Sequence, residues 1–225
     1  MTHKLGMVTL GQSPRTDILP AMIEVIGQDV RVIEKGALDG LSLEEVRSLS
    51  PTEDMARLCT RLSDGTQVVV AKERVTPMVQ GKIHELNREG VELIVFLCTG
   101  DFPRFESSSL VLEAQKIVDR CVEALICDRN TMGLVVPLEE QAEHARQNLY
   151  HITPNITVVN ASPYGSGNPV QRAAEVLKDK DIDLVVMHCM GFTKDHRKVM
   201  RELTGKPVIL ANSIVARTIG ELLQA

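Results

Sequence analysis

The chain has 225 residues, 44% hydrophobic and 24% charged, the balance of an ordinary globular protein with one large or two small domains. A formal net charge of −5, no Trp and only two Tyr argue against a nucleic-acid or anionic-membrane partner and against a base-stacking platform. No apolar run approaches the roughly 18 residues of a membrane span. The opening MTHKLGMVTLG enters a strand without a signal-peptide pattern, so a cytoplasmic location is expected.

Taken in chain order, apolar runs at 4–10, 29–36, 67–71, 92–98, 132–136, 156–161, 183–189 and 207–210 predict strands. Helical patterns are predicted over 15–27, 42–47, 52–63, 74–89, 110–126, 138–149, 169–179, 194–204 and 212–223. This alternation is the signature of a parallel α/β architecture, and continuously apolar strands suit a sheet covered on both faces. Within residues 40–70, the first part of the chain carries extra material, including an Asp64-Gly65 turn before a short strand.

One strand occurs nearly twice. VELIVFLCTG at 91–100 aligns without gaps on IDLVVMHCMG at 182–191, which brings Cys98 over Cys189 and Gly100 over Gly191. LGMVTL at 5–10 likewise resembles MGLVV at 132–136, and RVIEKGALDG at 31–40 lies over TVVNASPYG at 157–165. The expected fold is therefore α/β, with two pseudo-symmetric parallel-sheet half-domains and the active-site cleft between them. The expected division is 1–98 plus 211–225 for the first half and 99–210 for the second, with the last helix packing back on the first.

Each half then puts a thiol at the carboxyl end of a central parallel strand, where open α/β sheets bind ligands. Five cysteines, an odd number without a tight framework, do not read as secreted disulfides. Cys59, Cys121 and Cys127 read as packing residues. Cys98 and Cys189 are the candidate catalytic pair. A helix N-terminus expected just after each would favour its thiolate. A substrate carbon reached from both sides requires sulfurs about 7–9 Å apart.

Candidate substrate-binding residues surround them. Thr99, Gly100, Met190 and Gly191 supply backbone N–H groups, Thr99 and Thr193 supply hydroxyls, and Phe192 completes the second loop. The turn Gly11-Gln12-Ser13-Pro14-Arg15 adds a glycine, polar side chains and an arginine able to clamp a carboxylate. Ser13 before Pro14 also reads as an N-cap followed by a first-turn proline. His188 reads as packing, since successive strand side chains point oppositely. The six His form no metal-ligand pattern, and no metal or other cofactor is expected.

The paired cysteines, the duplicated halves and the crossing C-terminal helix resemble the aspartate/glutamate racemase superfamily. Within it the whole chain is most similar to the AroM family, through TLGQSPR, LCTGDFP, NASPYG, HCMGFT and LANSIVARTIGELL. The resemblance implies that Cys98 and Cys189 occupy the places of the two racemase cysteines. It also marks departures: Cys-Thr-Gly stands for the usual Cys-Asn-Thr, and His-Cys-Met-Gly for Gly-Cys-Thr-Glu, so the carboxylate-binding Thr is missing at 190.

The reading is a cofactor-independent racemase, epimerase or isomerase using two opposed cysteines on a small anionic carboxylate or a cyclic amide. A one-cysteine decarboxylase is the nearest alternative, and a non-catalytic small-molecule-binding protein is the rival from another class. Self-association is left open.

Overall fold

A computed structural model describes residues 3–224; residues 1–2 and 225, at the ends of the expected first half, lie outside them. Two four-stranded parallel sheets repeat one plan. The first has the order β2-β1-β5-β6, from β1 (His3–Thr9), β2 (Val30–Gly36), β5 (Leu93–Phe96) and β6 (Leu110–Glu113). The second has the order β10-β9-β7-β8, from β7 (Met132–Val136), β8 (Ile156–Asn160), β9 (Leu184–Met187) and β10 (Val208–Leu210).

The register realises the sequence repeat. Gly6 of β1 pairs with Ile94 of β5, and Gly133 of β7 pairs with Val185 of β9. Both glycines lie beneath a leucine. A Cβ added at Gly6 would stand 2.9 Å from Leu86 Cδ1, and one at Gly133 would stand 3.2 Å from Leu177 Cδ1. Leu86 belongs to α3 (Lys72–Arg88) and Leu177 to α6 (Pro169–Lys178), so each glycine lets a helix settle onto its central strand.

Side-chain alternation along the central strands sorts the interior into layers. Ile94 and Phe96 face the outer core of the first half, under α3. Val185 and Met187 face the outer core of the second, under α6 and α7 (Lys194–Thr204). Leu93, Val95, Leu184 and Val186 turn the other way, into one core shared by both halves. Filling that core are α1 (Leu19–Ile26), α4 (Ala114–Leu125) and α8 (Ala211–Leu223); α8 packs against both α1 and α4. α4 follows β6 as α8 follows β10, so the two equivalent helices lie side by side at the junction.

Two predicted helices are corrected. Residues 57–61 form β3 (Arg57–Arg61), antiparallel to β4 (Gln67–Ala71), not part of a helix over 52–63. RLCTR alternates, burying Leu58 and Thr60 and leaving Arg57, Cys59 and Arg61 partly exposed. Gly65 takes φ +93° at the hairpin tip, a conformation that favours glycine. Residues 110–113 form β6 beside β5 before α4 begins. The expected boundary after Cys98 therefore falls inside the first half, whose sheet continues to Glu113. The remaining elements are α2 (Leu43–Ser48), a short 3-10 turn at Glu139–Gln141 and α5 (Ala142–Leu149). Among the described residues, no helix is long and apolar enough to cross a membrane.

Ile219 of α8 is fully buried in the shared core. Ile219→Ala should cost about 2–5 kcal/mol, seen as a lower urea midpoint. Because α8 belongs to the core of both halves, fluorescence and far-UV transitions should coincide.

Candidate active site

The carboxyl ends of β5 and β9 open onto one cavity of about 710 Å³ between the halves. Cys98 and Cys189 both line it, with Thr99, Gly100, Met190 and Gly191. The two loops match atom for atom in one respect. Gly100 N–H donates to Cys98 Sγ at 3.3 Å, and Gly191 N–H donates to Cys189 Sγ at 3.5 Å. Among the described residues, the N–H groups of Thr99 and Met190 have no protein acceptor, which leaves one free amide beside each thiol. Thr99 Oγ1 donates to the His188 carbonyl at 3.0 Å and ties the loops together.

The expected helix N-termini are not there. After Cys98 the chain runs without helix to β6, and after Cys189 the next helix starts at Lys194. The expected dipole support for each thiolate is therefore missing. Burial pushes Cys98 up to about 12, further raised by Cys189 and only partly offset by the Gly100 amide, Lys72 and Arg15. Cys189 is raised by burial too, against the Gly191 amide and Arg15. A single N–H···S contact does not compensate for removing a thiolate from water.

The other expected binding residues divide. Gln12 Nε2 donates to the carbonyls of Leu38 and Leu41, and its Oε1 accepts from Ser63 N–H at 3.0 Å. Ser13 N–H and Oγ each donate to the Asp39 carboxylate at 2.7 Å. A Cβ at Gly11 would overlap the Arg61 carbonyl. These three residues seat the β3–β4 hairpin and the β2 loop and lie outside the cavity lining. Phe192 is fully buried in the second outer core. Thr193 caps α7, accepting from His196 N–H while His196 Nδ1 accepts from Thr193 N–H.

Arg15 does line the cavity, but its clamp is already closed. Its side chain is 3% exposed. Nε and Nη2 donate to the two oxygens of Asp17 at 2.9 and 2.8 Å. Nη1 donates to Thr9 Oγ1 at 3.0 Å, and Nη2 also donates to Tyr164 Oη at 3.1 Å. Arg61 of the hairpin adds a second cation 3.5 Å from Asp17. The carboxylate it was expected to take from a ligand is Asp17's. The tie to Tyr164 crosses from one half to the other, and Tyr164 Oη lies so close to Gly191 that a side chain there would collide with it.

Sequence reasoning missed the residues that complete the walls. Cys59 faces the cavity from β3, its thiol 3.9 Å from Ser162 Oγ. Burial pushes Cys59 up to about 12, reinforced by Cys189. Lys72 lies 5.5 Å from the Phe102 ring centre and 3.9 Å from Asp101. Asn212 of α8 donates to the carbonyls of Met190 at 3.0 Å and Phe192 at 2.6 Å and braces the second cysteine loop. Its place in the LANSIVARTIGELL segment was the available signal. His188 also lines the cavity rather than packing in the core, with Nε2 2.8 Å from Asp119 Oδ1 of α4. At the sheet edge the strand has ended, so strict alternation no longer governs neighbours 188 and 189. All five cysteines are free. Among the described residues, no group of three or more His, Cys, Asp or Glu side chains is arranged to hold a metal ion.

This two-half arrangement is the fold of the aspartate/glutamate racemase superfamily. Glutamate racemase from Aquifex pyrophilus superposes with a TM-score of 0.62 at 14% identity, over 98% of this chain and 84% of that one. Aspartate racemase from Picrophilus torridus gives 0.58 at 12% identity, over 98% and 94%. Unliganded arylmalonate decarboxylase gives 0.57 at 14% identity, over 100% and 93%. No curated protein matches the chain in sequence. The AroM protein family model matches residues 5–223, and the chain belongs to that family.

Arg15→Ala should remove both charge-assisted bonds to a largely buried carboxylate and cost about 3–5 kcal/mol in denaturant unfolding. The sign of the pH dependence follows from Asp17. Burial raises its pKa, but the Arg15 bonds and the Arg15 and Arg61 charges outweigh this and hold it below the ordinary value of 3.8. Its contribution should be full above that value and be lost as pH falls through the lower native one. Arg15→Ala should flatten this part of the stability-pH curve, measured by urea titration between about pH 5 and pH 2.

Proposed function

We propose that the protein catalyses proton transfer at a carbon acid, as a cofactor-independent racemase, epimerase or isomerase of a small carboxylate or cyclic amide. The observation that carries this reading is the pair of Cys-x-Gly loops, one from each half, opening on a single cavity with a free amide beside each thiol. The fold shared with racemases and a decarboxylase supports it.

In the proposed reaction, one thiolate takes the α-proton from one face of the substrate carbon. The opposite thiol gives its own proton to the other face. The enzyme ends with thiol and thiolate exchanged and no net change in protons. Negative charge builds on the carboxylate or imide oxygen as the first proton leaves, and the Thr99 and Met190 N–H groups are donors available to meet it. Arg15 stays with Asp17 and Tyr164 and acts as framework and fixed positive charge. A cavity of about 710 Å³ lies within the usual range for small-molecule sites.

The second reading, a one-cysteine decarboxylase, is favoured by the high value of Cys98, since a thiol kept protonated suits delivery of a proton to a carbanion. One assay separates the two. In D2O, a panel of small carboxylates and cyclic amides is followed for α-deuterium uptake and for released CO2. Uptake without CO2 supports the two-thiol reading, whereas stoichiometric CO2 supports the decarboxylase. Ligand binding without either would make the protein a binder. Cys98→Ser and Cys189→Ser should each slow exchange on the order of 10²–10⁴-fold while leaving the unfolding free energy within about 1 kcal/mol of the parent.

A further inference from the structure

We propose that Lys72 and Arg57, at the base of the β3–β4 hairpin, form a second anion site in the cavity and select a ligand with an acidic group remote from the reacting carbon. This site deepens the proton-transfer reading and rests on it for where the reacting end sits. That reading gives the first anionic oxygen to the free Thr99 and Met190 amides and leaves the hairpin wall without a role.

Arg15, Arg57 and Lys72 are the arginines and the lysine that line the cavity. Arg15 is spent: it is 3% exposed, and its guanidinium donates to Asp17, Thr9 and Tyr164. Lys72 and Arg57 differ. Among the described residues, neither side chain donates a hydrogen bond to the protein. Lys72 Nζ stands 3.9 Å from Asp101 and Arg57 Nε 4.0 Å from Glu140, both beyond hydrogen-bond length. The two cations are 26% and 34% exposed, whereas Asp101 and Glu140 are 58% and 57% exposed.

The hairpin brings the two cations together. Arg57 pairs with Ala71 across the ladder, and Lys72 N–H donates to the Ala56 carbonyl at 2.9 Å, so they leave adjacent points of the backbone. Lys72 is also held in place. Its ammonium lies 5.5 Å from the centre of the buried Phe102 ring, which Phe96 meets edge-on at 4.8 Å. The same ring packs on the Cys98 loop. A Cβ added at Gly100 would stand 3.3 Å from Phe102 Cε2 and 3.5 Å from Cys98 Sγ. The Lys72 ammonium is thus one ring away from the loop that carries Cys98.

Carboxylates share this wall. Glu53, Asp54, Glu73, Asp101 and Glu140 line it, and all five are exposed. Glu73 accepts from Ala56 N–H at 3.3 Å. Asp119, on the α4 side, is bonded to His188 and Gln115. Exposed carboxylates keep their water and are screened, so their pull on the cations is weak. Lys72 and Arg57 sit deeper and keep unspent donors. An acidic ligand group there gains charge-assisted hydrogen bonds that the protein leaves unmade. Without the pair this wall would hold only carboxylates, so selection of an acidic over an uncharged ligand tail falls to these two residues.

The test reads binding alone, by calorimetry. The probes are the linear dicarboxylates from malonate to adipate, each compared with the monocarboxylate of the same carbon number. The proteins are the parent, Lys72→Ala, Lys72→Arg, Arg57→Ala and Cys98→Ser. In the parent, at least one dicarboxylate longer than malonate should bind on the order of tenfold more tightly than its monocarboxylate. Lys72→Ala should erase that advantage and leave monocarboxylate binding unchanged. Lys72→Arg should restore part of it, and Arg57→Ala should reduce it. Cys98→Ser should keep it, since the site does not use the thiol. Equal affinity for the two series in the parent, no binding by any member, or an advantage that survives in both Lys72→Ala and Arg57→Ala would overturn the site. If Lys72→Ala fails to fold, Arg57→Ala and Lys72→Gln decide. A protein with a Lys72-dependent advantage that never exchanges an α-proton would sink the two-thiol reaction and leave the anion site standing.

Discussion

Everything at the site depends on one packing constraint, the apolar core that the two halves share. Leu93 and Val95 of one sheet and Leu184 and Val186 of the other turn toward the same interior, which α1, α4 and α8 fill. Each of these side chains is worth about 1.5–3 kcal/mol when fully buried. The halves therefore cannot rotate freely without exposing their own centre. Because the sheets are related by the duplication, fixing them on a common core also points the carboxyl ends of β5 and β9 at a common cavity. That both cysteine loops line one cavity is thus a consequence of core packing, not of contacts between the loops alone.

A polar frame refines what the core sets. Asn212 holds the Cys189 loop from α8, the helix most committed to the shared core. Thr99 joins the Cys98 loop to the His188 carbonyl. Arg15 reaches across to Tyr164, which closes over Gly191. The frame uses the cations and hydroxyls that a simpler site would turn toward ligand. The cavity wall at the sheet edges is left with backbone N–H groups, thiols and the His188 side chain.

Much of this was legible in the sequence, for a physical reason. Strands covered on both faces must be continuously apolar, so LIVF and LVVM announce themselves, and their shared Cys-x-Gly ending marks the matched loops. Residues whose role is set locally were also read well, as with the Asp64-Gly65 turn. The failures share the opposite property. RLCTR is short and charged at both ends, and only its pairing with QVVVA makes it a strand. LVLE runs straight into α4, and only its place beside β5 separates strand from helix. Arg15 looks like a ligand clamp until the turn folds Asp17 back onto it. Asp119 is 69 residues from His188, and nothing in either neighbourhood signals the pair. The expected activation of the thiols failed because it assumed helices directly after each cysteine. Burial, a property of the assembled cavity, pushes both thiols up instead.

The central claim is that both thiols address one carbon of one ligand. A crystal structure of the protein with malonate bound tests it most directly, through the position of the malonate methylene and the two sulfur distances. The account predicts the methylene carbon between Cys98 Sγ and Cys189 Sγ, about 3–3.5 Å from each, with a carboxylate oxygen on the Thr99 or Met190 N–H. Malonate seated elsewhere in the cavity, or sulfurs more than about 15 Å apart in the liganded state, would contradict it.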